Sequence, residues 1–271
     1  KSNISYWVRG IHTPEKEPYN KPDFSRPEMA WIAGMLAGDG SIKVNKKGRF
    51  LSLKAKDREL VEEAARKLAI VMGREKPYAV NKLGDGRYYV RVQSRELVDH
   101  LSVRENALNY LRRNPNEFIR AFFDCDGYVS ASVDSVRNFR YEIGLTNTDK
   151  QLLLYIKAML ESMGIESKIY KAYSKGKIFF SSRGKVQARK SCYTLKIKDF
   201  NSISRFLEMI GSSIERKRTK LVDIVDILGS NRGIYAAIEW LRRYERRPNE
   251  GKEKWFRRKK PLTIEEAWSL I

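Results

Sequence analysis

The chain has 271 residues, of which 42% are hydrophobic and 11% aromatic, so it can form one large or two modest cores. Lysine and arginine outnumber aspartate and glutamate by 54 to 33, and the resulting charge of +21 indicates a polyanionic partner. With two cysteines outside any C-x-x-C spacing and two histidines, the composition excludes zinc fingers, zinc hydrolases and histidine-dependent nucleases.

Residues 1–27 are predicted to form an extended N-terminal arm. Four prolines recur there at near-even spacing, which disfavours a helix. The arm would lie over the core or over the partner.

Residues 28–114 form the first of two similar predicted halves. An apolar helical run in residues 31–40 ends in Asp39-Gly40, and Gly34 and Gly38 place small residues on one helix face. The hydrophobic periodicity then predicts strands near 41–46 and 49–55, a helix from Asp57 to about Met72, a strand over 88–92 and a helix near 95–102.

Residues 115–228 repeat this pattern. A second run, residues 118–127, ends in Asp126-Gly127, and Ala121 and Cys125 repeat the small-residue stripe. The elements that follow are predicted to be strands near 128–134 and 139–146, a helix from Asp149 to about Met163, a strand over 193–197 and a helix near 200–210.

The two Asp-Gly endings predict a shared acidic site. If the stripes pack in parallel, Asp39 and Asp126 emerge together at one end, where the helix macrodipoles also disfavour acids. Carboxylates so close repel unless they share a proton or hold cations. Gly40 and Gly127 are expected to end the helices in the left-handed conformation. Taken alone, either copy also fits a core helix followed by a turn, and the duplication favours the site.

Strand alternation predicts a sheet with one core face and one polar, basic face in each half. Such a surface can lie along a duplex groove and read base edges. The predicted DNA-facing residues are Ser41, Lys43, Asn45, Arg49, Arg87, Tyr89, Arg91, Ser130, Ser132, Arg140, Glu142, Thr194 and Lys196. The basic loops 45–49 and 174–190 fit phosphate contacts.

Residues 32–40 and 119–127 read IAGMLAGDG and IRAFFDCDG. Position by position they resemble the nine-residue signature of the LAGLIDADG homing endonucleases, in the single-chain form that carries two copies. The resemblance covers about residues 28–228. It implies an α+β fold of two pseudo-two-fold-related αββαββα halves, whose antiparallel sheets form a DNA-binding saddle around a central pair of packed motif helices.

The resemblance also implies metal-dependent cleavage of DNA. Divalent ions held by carboxylates activate water and neutralise the charge that develops at phosphorus. Asp39 and Asp126 would hold Mg²⁺ or Mn²⁺, with the carbonyls of Gly38 and Cys125 as further ligands, and each acid would serve cleavage of one strand. Ca²⁺ is expected to support binding without cleavage.

Polar helper residues are expected at two places in each half of such a protein. The end of the second strand holds Lys56 and Asn147, and the position after the fourth strand holds Gln93 and Lys198. Ala55 departs from the family's polar side chain, so the two halves need not be equivalent.

Residues 229–271 form a predicted basic helical extension outside the resemblance. It contains a helix around 234–245, a basic and aromatic run over 252–260, and a capping box in which Thr263 precedes Glu266 by three residues. The run fits either a solvated face or additional phosphate contacts.

We therefore expect an intracellular, site-specific endonuclease that cuts a long, asymmetric double-stranded DNA target as a monomer and supports intron mobility. Its compartment would be the prokaryotic cytoplasm or an organelle, with no membrane or secretion signal involved. An RNA maturase that holds intron RNA on the same scaffold remains open. So does a non-catalytic DNA-binding regulator, which would be expected to lose one or both acids.

Overall fold

The computed structural model describes residues 21–181, 184–249 and 252–271. The first half of the chain alternates helices with pairs of strands, and two helices close it. In chain order its elements are α1 (Glu28–Ala37), β1 (Gly40–Asn45), β2 (Gly48–Ala55), α2 (Arg58–Val71), β3 (Asn81–Lys82), β4 (Tyr88–Gln93), α3 (Arg95–Ser102) and α4 (Arg104–Arg113).

The second half repeats that order and adds a short hairpin between its outer strands. Its elements are α5 (Pro115–Asp126), β5 (Gly127–Val133), β6 (Phe139–Asn147), α6 (Lys150–Ser162), β7 (Lys168–Tyr173), β8 (Ile178–Ser181), β9 (Gly184–Gln187), β10 (Cys192–Ile197), α7 (Phe200–Met209) and α8 (Glu215–Ser230). The C-terminal extension contains α9 (Ile234–Arg243), the hairpin β11 (Tyr244–Asn249) and β12 (Lys252–Arg257), and α10 (Ile264–Trp268).

Each half contains one four-stranded sheet, and the two sheets have the same topology. The strand orders are β1-β2-β4-β3 and β5-β6-β10-β7, and every pairing is antiparallel. One face of each sheet packs on the helices through residues such as Leu53, Val90, Ile143 and Leu195, none more than 1% exposed. The α+β fold of duplicated halves is therefore confirmed.

Helices α1 and α5 pack against each other in parallel at the centre of the molecule. A Cβ added to Gly34 would lie 2.1 Å from the Phe118 carbonyl oxygen, and one added to Gly38 would lie 2.4 Å from the Cys125 Cβ. The backbones therefore meet where the predicted small-residue stripe of α1 lies. Gly34 faces the backbone of Phe118, one turn before Ala121.

Replacement of Gly34 by alanine is expected to destabilise the protein by at least about 2 kcal/mol, because backbone atoms of α5 occupy the space of the new methyl group. Chemical denaturation measures this loss. The matched control is Gly84→Ala, where nothing lies within 4 Å of the added Cβ and a change within about 0.5 kcal/mol is expected. Equal stability of the two variants would contradict the close packing.

Several local expectations were wrong in detail. Gly40 and Gly127 are not left-handed: Gly127 has φ −93°, and both begin strands directly. Glycine is required at both positions for lack of space. A Cβ added to Gly40 would lie 2.6 Å from Leu36 Cα, and one added to Gly127 would lie 2.2 Å from the Phe123 ring. Helix α1 ends at Ala37, so Asp39 lies past the helix, whereas Asp126 is the last residue of α5.

The two helices that follow Asp57 and Asp149 begin with different side-chain contacts, and one predicted helix end is wrong. The Asp149 carboxylate caps α6 through the Leu152 amide, but that of Asp57 makes no cap bond and instead pairs with Arg216. The helix expected over 234–245 ends at Arg243, because the chain enters the β11–β12 hairpin that the basic run completes. The capping box of Thr263 is present.

Most of the predicted arm, residues 1–20, lies outside the described residues. From residue 21 onward the chain contacts the first half, where Phe24 stacks on the His100 ring at 4.0 Å between centroids. Among the described residues, no helix combines the length and apolar character needed to cross a bilayer.

Candidate metal and nucleic-acid site

The two motif acids lie at the same end of the central helix pair. Asp39 occupies the short turn between α1 and β1, and Asp126 ends α5 just before β5. Gly38 and Cys125, each one residue before an acid, are so close that a Cβ on Gly38 would overlap the Cys125 side chain. The parallel packing therefore brings one carboxylate from each half to a common site.

Asn147 holds the carboxylate of Asp126 from the end of β6. Its Nδ2 donates to Asp126 Oδ2 at 2.9 Å and to the Ala37 carbonyl at 3.4 Å, and its Oδ1 accepts from the Asp149 amide. The side chain thus connects the second acid with the end of the first motif helix. The predicted counterpart Lys56 was wrong: Gly40 pairs with Leu53 as Gly127 pairs with Leu145, so Ala55 occupies the position of Asn147. Lys56 is exposed directly after β2.

The electrostatics of this site disfavour two negative charges. Burial, together with the nearby Asp39 carboxylate, raises the pKa of Asp126 to about 6, against the opposing effects of Asn147 and Lys217. Burial also raises the pKa of Asp39, and Lys217 opposes this shift. Burial and the surrounding acids raise the pKa of Cys125 to about 12, so its thiol stays protonated.

The metal-free Asp126→Asn protein is expected to be more stable than the wild type at pH 7.5. Because the folded pKa of Asp126, about 6, exceeds the ordinary aspartate pKa of 3.8, its contribution to stability is complete below pH 3.8 and disappears as the pH rises through 6. Asparagine is neutral throughout, and for this partly exposed group we expect a gain of about 1 kcal/mol. Denaturation in EDTA at several pH values measures it.

The control for that measurement is Asp85→Asn, since Arg87 holds the pKa of the Asp85 carboxyl below its usual range in an exposed turn. No gain is expected there at pH 7.5. A gain for Asp126→Asn that persisted at pH 4 would contradict the assigned cause.

Lys217 is a functional candidate that the sequence analysis missed. Its Nζ is buried and donates to the carbonyls of Phe123, Asp124 and Gly127 at 2.7, 2.9 and 2.7 Å. Carbonyls at a helix C-terminus lack intrahelical donors, so this ammonium caps the end of α5. Burial lowers the pKa of Lys217 to about 8, against the opposing attraction of Asp124. At neutral pH it therefore adds positive charge beside both motif acids.

The segment that carries Lys217 is fixed by polar contacts from both halves. The buried Asp124 carboxylate accepts from Ser212 Oγ at 2.5 Å and from the Ser213 amide at 2.9 Å. Arg216 forms a two-bond ion pair with Asp57 at the start of α2. No local sequence signal could have identified Lys217, because 90 residues separate it from Gly127.

The donor set fits a hard divalent cation with few protein ligands. Two carboxylates and the adjacent carbonyls of Gly38 and Cys125 are oxygen donors of the kind that Mg²⁺ prefers, and Mg²⁺ commonly completes its shell with water and substrate phosphate. Within residues 21–181, 184–249 and 252–271, no group of three or more His, Cys, Asp or Glu side chains could hold a metal by itself.

Two predicted helper residues lie at the wrong ends of their sheets. Gln93 pairs with Phe50, and its Nε2 donates to the Lys47 carbonyl beside the β1–β2 turn. Lys198 follows β10 at the end away from Asn147, and its ammonium lies 3.7 Å from Glu142. Since β4 and β10 begin near the acids and run away from them, residues after these strands cannot reach the site.

The pairing registers define the polar face of each sheet, because directly paired residues point to the same side. Ser41 pairs with Ser52, which pairs with Arg91, and Ser130 pairs with Glu142. By this register and strand alternation, the polar faces include the predicted residues Ser41, Lys43, Asn45, Tyr89, Arg91, Ser130, Ser132, Arg140, Glu142, Thr194 and Lys196. Arg87 precedes β4 and pairs with Asp85.

Arg49 and Thr194 do not fit the predicted DNA-facing set. Arg49 pairs with Val44 on the helix side of the first sheet and forms an ion pair with Asp99 of α3. Thr194 is on the polar face but only 6% exposed, and its hydroxyl lies 3.0 Å from that of Thr146. The hairpin turn reverses the alternation between β1 and β2, which explains the error at Arg49.

Several polar-face charges are already paired within the protein. Glu142 accepts from Lys196 at 2.7 Å and from the Tyr128 hydroxyl at 2.8 Å. Burial raises the pKa of Glu142, but these donors outweigh burial and hold the pKa below its usual range. Arg140 pairs with Asp134. The register adds residues that the analysis missed, among them Lys54 opposite Tyr89 and Tyr170 opposite Thr194. Strand alternation from Ser52 would have found Lys54.

The model of the LAGLIDADG-like domain matches two segments, residues 26–102 and 114–211. These segments include both motif helices and both sheets, and together they make up more than half of the chain. The chain belongs to the LAGLIDADG-like domain family.

Curated relatives of this LAGLIDADG-like protein include proteins of Methanocaldococcus jannaschii. One uncharacterized protein is 28% identical over 235 residues, which are 83% of this chain and 82% of that protein. A second uncharacterized protein is 27% identical over 52% of this chain and 56% of its own length. The ATP-dependent DNA helicase Hel308 is 34% identical over 40% of this chain, but the match spans only 8% of the helicase.

Solved structures with a similar chain include LAGLIDADG endonucleases. I-DmoI in complex with DNA and Ca is 19% identical, covers 74% of this chain and 98% of its own, and has a TM-score of 0.49. The meganuclease I-AabMI bound to uncleaved DNA is 12% identical, covers 76% of this chain and 92% of its own, and has a TM-score of 0.45.

Proposed function

We propose that this protein is a site-specific DNA endonuclease that uses Mg²⁺ or Mn²⁺ to make double-strand breaks as a monomer. The observation that carries the proposal is the convergence of Asp39 and Asp126 at one end of the packed helices, one acid from each half. A monomer that cuts both strands from one bound position can use one carboxylate for each strand, and the duplicated chain supplies both. Membership of the LAGLIDADG-like family supports this reading.

The pKa shifts support a cation rather than a shared proton as the working state. At pH 7 to 8 the Asp126 carboxyl, with its pKa of about 6, is mostly ionised and lies near a second acid. A divalent ion bound there would supply the neutralising charge and an activated water. The protein side chains would position the metal-binding carboxylate. Asn147 orients the Asp126 carboxylate, and Lys217 holds the end of the helix that carries it.

DNA would lie across the polar faces of the two sheets. Arg91 and Lys43 project from the first face, and the net charge of +21 favours a long phosphate backbone. Because the two faces differ in sequence, as the corresponding residues Tyr89 and Thr194 illustrate, the target would be asymmetric. We further propose that such breaks support the mobility of an intron.

The test is cleavage of a randomised long-site duplex library by the full chain with Mg²⁺, Mn²⁺ or Ca²⁺. We expect selected double-strand cuts with the first two ions and binding without cleavage with Ca²⁺. Tight binding to duplex DNA without cleavage under any of these ions would favour a DNA-binding regulator. Preferential binding to structured intron RNA, without cuts in the library, would favour a maturase.

A further inference from the structure

The connection between the outer strands is much longer in the second half than in the first. In the first half a tight turn over residues 83–87 joins β3 to β4. In the second half the ladder of β7 and β10 continues into β8 and β9, through Gly176 N–H to the Ala188 carbonyl at 2.9 Å and the Ala188 amide to the Lys177 carbonyl at 2.8 Å. We call residues 174–181 and 184–191 the ribbon.

The ribbon extends the second sheet past the end at which the acids lie. It begins where Cys192 pairs with Tyr173, and the next residue of β10, Tyr193, pairs with Asn147, the residue bonded to Asp126. A turn at residues 174–177, in which the Lys177 amide donates to the Ser174 carbonyl and Gly176 has φ +90°, separates β7 from β8. On the proposed function, DNA that lies across the polar face of the second sheet would meet the ribbon beyond the end of that sheet.

The charge of this part of the chain matches a nucleic acid. Between Glu166 and Asp199 the sequence contains eight lysines and two arginines but no aspartate or glutamate. A stretch of this kind repels other cationic surfaces and attracts a phosphate backbone.

Phe180 is an exposed aromatic residue within that cationic segment. It is 84% exposed, more than any other large hydrophobic residue of the described chain. The ladder places it opposite Lys185, whereas Phe179 pairs with Val186 on the other face and packs edge-on against Tyr173 at 5.0 Å. Phe179 thus stabilises the ribbon, whereas the Phe180 ring is exposed to solvent.

We propose that Phe180 inserts as an apolar wedge into a base step of the bound DNA, while the lysines of the ribbon contact the adjacent phosphates. An inserted ring replaces the stacking that the separated bases lose, and the kinked duplex can follow more of the protein surface. This inference rests on the proposed function and adds to it a residue that bends the target beside the cleavage site.

The experiment uses the full chain in Ca²⁺ and the duplex recovered from the cleavage selection, labelled at its two ends with donor and acceptor dyes. The wild type is expected to bring the ends closer, and Phe180→Trp is expected to do the same because it keeps an aromatic ring. Phe180→Ala is expected to lose the bend and about tenfold in affinity. Its salt dependence should not change, because no charge is removed.

The matched control is Val186→Ala, which truncates a residue on the other face that is 55% exposed. It is expected to bend the duplex as the wild type does. Equal bending and affinity of Phe180→Ala and the wild type would overturn the inference, as would a wild type that cuts this duplex without bending it. A wild type that neither binds nor cuts any duplex would instead refute the proposed function.

Discussion

Replacement of Asp126 by asparagine is expected to reduce double-strand cleavage by about 10³-fold or more while leaving binding to the target within a few-fold in Ca²⁺. The amide keeps the size and the hydrogen bond to Asn147 but removes the negative charge that would hold the metal. The same result is expected for Asp39→Asn. Cleavage rates at saturating Mg²⁺, together with binding measured by fluorescence anisotropy, separate the two effects.

The matched control for both variants is Asp85→Asn, an acid in an exposed turn of the first half that pairs with Arg87. It should cut at the wild-type rate. If each acid serves one strand, each single variant should also leave nicked duplex as its main residual product. Full double-strand cleavage by either variant would exclude that acid from the metal site.

Replacement of Lys217 by methionine is expected to lower the free energy of unfolding by about 3 kcal/mol. The change keeps an unbranched side chain but leaves the carbonyls of Phe123, Asp124 and Gly127 without their shared buried donor. Since these carbonyls form the end of α5, Asp126 should also move. Thermal unfolding measures the first effect.

A Mg²⁺ titration of cleavage, at a temperature at which the variant is folded, measures the second effect of Lys217→Met. The Mg²⁺ concentration for half-maximal activity should rise several-fold, which a loss of stability alone would not cause. Lys220→Met, three residues later on α8, is the control and should leave the Mg²⁺ requirement unchanged. An unaltered Mg²⁺ requirement in Lys217→Met would exclude a positioning role.

The elements around the motifs could be predicted from the sequence because their signals are local. Helix α6, capped by Asp149, and the polar alternation of Tyr89 and Arg91 follow from spacing of a few residues. The small residues at Gly34 and Gly38 likewise predicted a close helix pair, and this determines that Asp39 and Asp126 share one end. Asn147 was found because the family resemblance implies a polar residue at the end of the second strand, and Asn147 ends β6.

What only the tertiary structure decided depends on strand direction and on contacts distant in sequence. Spacing alone does not tell which end of β10 lies near the acids, so Lys198 was assigned to the site although it lies beside Glu142. The turn after β1 shifted Arg49 to the helix side. Lys217 reaches the end of α5 from 90 or more residues away, and the exposure of Phe180 depends on how the ribbon leaves the sheet. Periodicity determines which residues share a face, whereas the packing of whole elements determines which faces meet.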